Sequence, residues 1–446
     1  MRHIFHRSCI LSLCAIIAFS SCNATISDTE GKSSPEYSTV SPVEKTQMKI
    51  ISSQNGIIAS GMVGNDYGCY EIFYRPSGDG NILYTDYATQ SRIYLSSQVS
   101  AERNSENDTS WLESTVGGCY FSLTSENLLL FKLNTPNFND QQLSERQGYI
   151  ARYDLNGANR KVLTQLSPNE VIADGCIVSD SNNIYYLTYY IQDDGTSSPF
   201  SLTSLNILSG EKKKICEFSA DSRHFIVGAY QDKIVMKNIV NPVNFSSMSS
   251  AEEITEAFRR QRHEIVLLSP DGRQESICQW KQGERSEMFT DDKMFYWDTA
   301  KKGIYELDFE TGKEKSLNND PIVGSDGTSY NSLILYADPF DGHILATATQ
   351  EENGQEKSIQ IAFDIENKVY KELKLIENER PVQILAEGAN YFLVQTGLKE
   401  YPIPDYMPDG QQYTTNMLVP DIYLIAKQDY WNSIPNYIPI KDDVYI

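Results

Sequence analysis

At 446 residues, 40% of them hydrophobic and 22% charged, the chain is long enough to bury a large core and is neither disordered nor collagen-like in composition. Its 60 acidic against 38 basic residues give a net charge of −22, which opposes binding to nucleic acid and to anionic lipid surfaces. The 28 Tyr, 26 Gly and 17 Pro against 4 Trp suit an all-β chain with many turns.

Residues 1–21 read as an export signal. Arg2, His3, His6 and Arg7 precede an apolar run from Ser8 to Phe19, too short to span a bilayer, and then "SSC". The run resembles a bacterial lipoprotein signal, in which the cysteine after the small residues is diacylated and becomes the mature N-terminus. That resemblance makes Cys22 the lipidation site, although Phe19 stands where the family usually has Leu; an ordinary secretory signal cut near Ala24 is the alternative. Removing the signal leaves 36 basic against 60 acidic residues, a net charge of −24. Residues 22–47, rich in Ser, Thr, Pro and Glu, lack the apolar side chains to repay folding entropy and read as a lipidated cysteine with a disordered tether.

From residue 48 onward one pattern recurs. In "IARYDLNGANRKVLT" at 150–164 a strand, an Asn-Gly turn and a second strand make a hairpin, with Leu163 nine positions after Asp154. The same nine-residue step links Asp86 to Leu95, Asn206 to Ile215, Ser269 to Cys278, Asp308 to Leu317 and Asp364 to Leu373. Gly210, Gly272, Gly312 and Asn367 stand at the turns of four of these hairpins. Two further strand-like runs precede several of them, such as "HFIVGAY" and "KIVMKNIV" before "EIVLLSPDGRQESICQW". Four strands per unit repeated along the chain predict an all-β propeller of four-stranded antiparallel blades over 48–446. The C-terminal runs "PVQILAEG", "NYFLVQTG", "PDIYLIAK" and "NYIPIKDD" supply a degenerate last blade, giving seven, with six or eight as alternatives. The early run "MKIISSQNGIIASGMV" is expected to close the ring by pairing with that last blade, since an open end would expose sheet edges.

The strand, Asp, turn Gly and terminal Leu-Thr of "YDLNGANRKVLT" resemble the repeat of TolB-like and YWTD-type propellers, including Gram-positive lipoprotein propellers of unknown function. The resemblance implies the architecture and transfers no functional residue.

"GC" recurs in "DYGCYE", "VGGCYF" and "ADGCIV", each followed by Asn and three apolar residues. This predicts one slot for Cys69, Cys119 and Cys176 at the start of an inner strand of successive blades, with Cys216 and Cys278 sharing an outer-strand slot. Equivalent slots lie too far apart for disulfides, so all five read as small buried hydrophobes.

His224, His263 and His343 are scattered without metal-ligand or nucleophile-activating spacing, so neither a catalytic site nor a metal site is expected. No cofactor is expected, with structural calcium left open at "DDG" (193–195) and "DPFDG" (338–342). Asp193, Asp194, Asp338 and Asp341 are candidate carboxylates, better read as solvated turn residues. "SAEEITEAFRRQRHE" predicts a helical insertion at about 250–262, with a Ser250/Glu253 capping box and an apolar face of Ile254, Ala257 and Phe258. Its end gathers Arg259, Arg260, Arg262 and His263, either a docking patch for an acidic partner or lipid headgroups, or cations offsetting the helix dipole. "EYPIPDYMPDGQQY" at 400–413 reads as a Pro-rich loop whose Tyr401, Tyr406 and Tyr413 could hold a ligand.

The resulting expectation is a monomeric, lipid-anchored envelope protein facing outside the cytoplasm. It would bind or scaffold a protein or glycan and no nucleic acid. A carbohydrate-active enzyme with carboxylates near the central channel, and an assembly factor of an envelope complex, are the alternatives.

Overall fold

The computed structural model describes residues 47–446 apart from 53–60, 76, 98–102, 106, 135–146, 193, 242–249, 291, 337–338, 353–354, 407–411, 443 and 445–446. The export signal, Cys22 and the tether up to residue 46 lie outside the described residues, as do Asp193 and Asp338.

Seven four-stranded antiparallel meanders follow one another along the chain. The first comprises Val63–Asn65, Gly68–Tyr74, Gly80–Asp86 and Ser91–Tyr94. The others span 119–165, 178–217, 222–281, 285–318, 332–373 and 383–439. This is a seven-bladed propeller, with two helices among the described residues, α1 (Ala251–Arg259) and α2 (Lys427–Trp431). In each blade the strands run from inner through second and third to outer.

Blades are apolar on both faces because each packs between two neighbours. Leu128 to Phe131, in the second strand of the second blade, are all fully buried. Leu128 and Leu130 join a core with Tyr70, Ile82 and Tyr84 of the first blade, while Leu129 and Phe131 join Ile184 and Tyr186 of the third. Alternation along a strand thus serves both interfaces, and each such side chain contributes roughly 1.5–3 kcal/mol.

The recurrent Asp or Asn ends the third strand, and its side chain starts the turn. Thr89, Ser209, Thr311 and Asn367 each donate their backbone N–H to the Oδ1 of Asp86, Asn206, Asp308 and Asp364, three residues back. The glycine that follows serves two needs. Gly157 and Gly210 have φ of 80° and 78°. A Cβ on Gly157 would lie 2.6 Å from the carbonyl oxygen of Leu95, and one on Gly210 2.4 Å from that of Leu163. These two turns therefore seat on the outer strand of the preceding blade, at the apolar residue of the nine-residue step. Leu163, Ile215 and Leu317 are also the unpaired residues of β-bulges in their outer strands.

Because the blades are meanders, inner–second and third–outer turns share one face of the ring, the turn face. Second–third loops and interblade connections share the other, the loop face. Residues Lys49–Ile50 pair antiparallel with Ser179 and Val178, on the free inner edge of the third blade. Met48 N–H donates to Gln231 O at 2.6 Å, Ile51 N–H to Ile177 O at 2.9 Å, and Leu123 N–H to Ile51 O at 2.7 Å. The early run therefore pairs, through its described residues, with the third blade and, at Val63, with the first, and none of those residues pairs with the last. It enters the channel from the turn face and takes up the free inner edges of blades two to four, whose unpaired backbone groups demand partners.

The ring is closed instead by the chain's end. Lys441–Asp442 pair in parallel with Ser91 and Arg92 of the first blade's outer strand. Arg92 is buried between Glu71 and Asp442, donating from Nε to Glu71 at 2.9 Å and from Nη1 to Asp442 at 3.0 Å.

Of the three "GC" cysteines, Cys119 starts the inner strand of the second blade and Cys176 just precedes that of the third. Cys69 lies in the second strand of the first blade, so the expected common slot holds for two of the three. Cys216 and Cys278 do share the outer-strand slot, facing Leu202 and Ile265 beside equivalent bulges. None of the five is joined in a disulfide.

Candidate functional site

The loop face carries the departures from the repeat. In the fourth blade α1 is inserted between the second strand (Lys233–Val240) and the third (Arg262–Leu268). Its start follows from the capping box: Ser250 Oγ accepts from Glu253 N–H at 3.1 Å, and Glu253 Oε2 accepts from Ser250 N–H at 3.3 Å. Of its apolar face only Ala257 is buried, whereas Ile254 and Phe258 are 37% and 46% exposed.

The predicted cationic cluster is divided by the fold. Arg260 Nε donates to Glu256 at 3.1 Å and Arg259 lies 3.7 Å from the same carboxylate, both on exposed surface. Arg262, also exposed, begins the third strand, so His263 points the other way by strand alternation. It is buried, stacks on Trp280 at 5.3 Å and bonds Gln282 through Nε2. Burial, aided by repulsion from Lys237, pushes its imidazole below the ordinary histidine range.

In the seventh blade the second and third strands run on as Tyr391–Tyr406 and Gln412–Ala426, 16 and 15 residues long, against 6 to 10 in the other blades. The expected Pro-rich loop at 400–413 is thus strand on both sides. Its backbone ladder carries Tyr401 opposite Met417, Asp405 opposite Tyr413 and Tyr406 opposite Gln412. On this ribbon Leu398 and Leu418 are 50% and 62% exposed. Exposed Val116, Tyr190, Val323 and Ile376 lie on neighbouring loop-face connections and hairpins. None of these side chains belongs to a motif; their signal is only their position outside the nine-residue repeat.

The turn face carries exposed Tyr67, Leu208 and Ile434 on three separate blades, and the candidate carboxylates divide between the two faces. Asp194, on a loop-face hairpin, accepts from Thr196 N–H at 2.9 Å and Thr196 Oγ1 at 2.6 Å, which holds its carboxyl below the usual range as in a turn aspartate. Asp341, on the turn face, belongs to a network. Its Oδ1 meets Lys427 Nζ at 3.2 Å, its Oδ2 accepts from Trp431 Nε1 at 2.9 Å, and Lys427 also pairs with Glu387 at 2.5 Å. His343 stacks on Trp431 at 4.1 Å. The cation between the two carboxylates ties the sixth blade to α2 and to the inner strand of the seventh. His224 is buried too, bonded to Asn238 at 2.8 Å and stacked on Phe218. Among the described residues no group of His, Cys, Asp or Glu is arranged to hold a metal ion, and no helix is long and apolar enough to cross a membrane. A polar cleft of about 290 Å³ lies at the rim between the third and fourth blades, lined by Asn183, Tyr185, Asn206, Lys213 and Pro270.

No protein-family profile and no curated protein matches this sequence. Solved structures do. The chain is similar to oligogalacturonate lyase from Vibrio parahaemolyticus, with 10% identity, a TM-score of 0.41 and coverage of 83% of this chain and 84% of that one. It is similar to TolB from Acinetobacter baumannii, with 14% identity, a TM-score of 0.31 and coverage of 78% and 79%. It is also similar to the Pyrococcus horikoshii acylaminoacyl peptidase, with 12% identity, a TM-score of 0.45 and coverage of 86% of this chain but 55% of that one. What these likenesses have in common is the β-propeller, and a shared propeller is compatible with many activities.

Proposed function

We propose that this protein is a lipid-anchored, extracytoplasmic binding or scaffolding propeller that engages its partner with the loop face. The observation that carries the reading is the asymmetry of the ring. α1 and the long ribbon leave the ring from the loop face and carry exposed Ile254, Phe258, Leu398 and Leu418, whereas on the turn face exposed Tyr67, Leu208 and Ile434 stand on three separate blades and the channel end receives residues 48–52. Exposed apolar side chains carried on elements that project from a folded body mark an interaction surface. The anchor reading fits the same asymmetry. A tether from Cys22 would reach the body at Met48, on the turn face, and leave the loop face directed away from the membrane. Arg259, Arg260 and Arg262 would then border the partner surface beside Ile254.

Site-specific photo-crosslinking in cells tests the face. Probes at Ile254, Leu398 and Ile376 should capture one partner, while probes at Tyr67 and Leu208 on the turn face should not; capture from the turn face alone would refute the assignment. Cys22→Ser should move the protein from the membrane to the soluble fraction, and continued membrane retention would sink the anchor. Cleavage of a polysaccharide by the purified chain would replace a binding function with a catalytic one.

A further inference from the structure

The ribbon of the seventh blade outruns its sheet. The inner strand stops at Gln383, opposite Gln395, and the outer strand at Pro439, opposite Tyr423. From the pair Gly397–Asp421 to the pair Tyr406–Gln412 the ladder has no flanking strand among the described residues, a projection of about 30 Å. A free two-stranded ribbon has two edges, and each unpaired edge invites another strand.

The two edges differ. Pro402, Pro404 and Pro420 face Asn416, Thr414 and Leu398. A proline lacks the N–H that a ladder needs, so it fits only where its nitrogen points away from the partner strand. All three have the same parity, which assigns the outward-pointing groups to the pairs 398–420, 400–418, 402–416 and 404–414. On the 397–406 strand two of those outward donors are therefore replaced by proline. On the opposite strand Thr414, Asn416 and Leu418 keep theirs, so one edge is blunted and the other open.

The side chains of this parity share one face. Leu398 and Leu418 stand exposed on it beside Glu400, while on the other face Val419 is buried and Lys399 approaches Asp421 at 4.0 Å and Asp442 at 3.8 Å. Between 397 and 421 the chain carries Glu400, Asp405, Asp409 and Asp421 against Lys399, a net charge of −3 on a strongly acidic body. That charge favours a cationic visitor and opposes pairing with a second copy of this chain.

We propose that the 412–418 edge accepts an extended, lysine- or arginine-bearing peptide segment of a partner protein as a third strand. Backbone hydrogen bonds would hold it, Leu398 and Leu418 would pack against its apolar side chains, and Glu400 on the same face of a strongly acidic body would select its charge. The proposal rests on the reading of the loop face as the binding face and names the chemistry recognised there.

The test uses the full chain and a short, end-blocked peptide alternating lysine and valine, followed by fluorescence anisotropy. Thr414→Pro with Asn416→Pro removes two outward backbone donors and no inward one, as Pro402 and Pro404 do on the other strand, and beyond these only the exposed Asn416 Nδ2 bond to Glu400, so the melting temperature should change little. Saturable binding should weaken by about tenfold or more in this variant. The same loss should follow on wild-type protein when alternate backbone nitrogens of the peptide are methylated, a comparison that holds even if the proline variant folds poorly. No saturable binding, or binding indifferent to both changes and sensitive only to salt, would overturn the proposal. So would a doubled mass in light scattering that depends on the same edge, which would assign the edge to a second copy. Loop-face crosslinks that persist in the proline variant would overturn this proposal while leaving the binding-face reading intact.

Discussion

Arg92 is the side chain on which ring closure can be tested most sharply. It is 1% exposed, between Glu71 at 0% and Asp442 at 13%. Burial pushes the Glu71 carboxyl above the usual glutamate range, and Arg92 pulls it back. Arg92→Met removes the cation but keeps much of its volume, leaving Glu71 in a dry site without its counter-charge, at a cost of about 3–5 kcal/mol. With an unfolding entropy near 2.1 cal/mol/K per residue over about 400 residues, that loss lowers the melting temperature by about 4–6 °C. The sign of the pH effect follows from a folded pKa above the unfolded one. Stability from Glu71 is fully present below the ordinary glutamate range and lost as pH rises through the folded value. Without Arg92 that value climbs further, so the penalty should be smaller near about pH 5 than near about pH 8. Glu71→Leu combined with Arg92→Met should recover most of the loss, because no uncompensated charge remains. Thermal melts of the three proteins at both pH values decide the matter. A single variant melting with the wild type, a double variant as weak as the single, or a pH-independent loss would refute the account.

Three further expectations follow from particular contacts. Gly210→Ala forces a side chain into positive φ and against the Leu163 carbonyl, and should cost about 2–3 kcal/mol in denaturant unfolding; an unchanged midpoint would show that the turn relaxes freely. Ile51→Asp should dislodge the channel segment and speed hydrogen exchange at the Leu123 amide, which donates to Ile51 O, without unfolding the outer strands. Burial raises the Cys69 thiol and takes that of Cys119 to about 12, so native protein treated with iodoacetamide near neutral pH should leave both unlabelled until denatured.

What the sequence made legible is what is local. The Asp or Asn, the turn residue and the apolar residue nine positions on are a self-contained hairpin, and six of them located six blades. Ring closure escaped because it joins residues 350 positions apart, Arg92 and Asp442, and neither end carries a motif. Cys69 was displaced by one strand because the Asn-led apolar run in the first blade is the third strand instead of the second. The ribbon was hidden by its prolines, which argue against a strand unless its edge is open. His263 read as part of an exposed cluster because helix periodicity was carried past Arg260, where the chain turns to strand alternation.

The latch at Lys441–Asp442 also imposes an order in time. A chain emerging from its amino end can stack each blade on the last as soon as the next turn reaches the preceding outer strand. The seam between the seventh and first blades, however, gains its backbone ladder only when Lys441–Asp442 meet Ser91 and Arg92. Residues 48–52, though made earlier, must wait for blades two to four to exist before their hydrogen bonds can form. Both ends therefore settle late, and closing so long a loop is an entropic cost met only when most of the body is already in place. A chain without Lys441–Asp442 would keep the apolar packing of the seventh blade on the first and lose the backbone ladder that locks that seam.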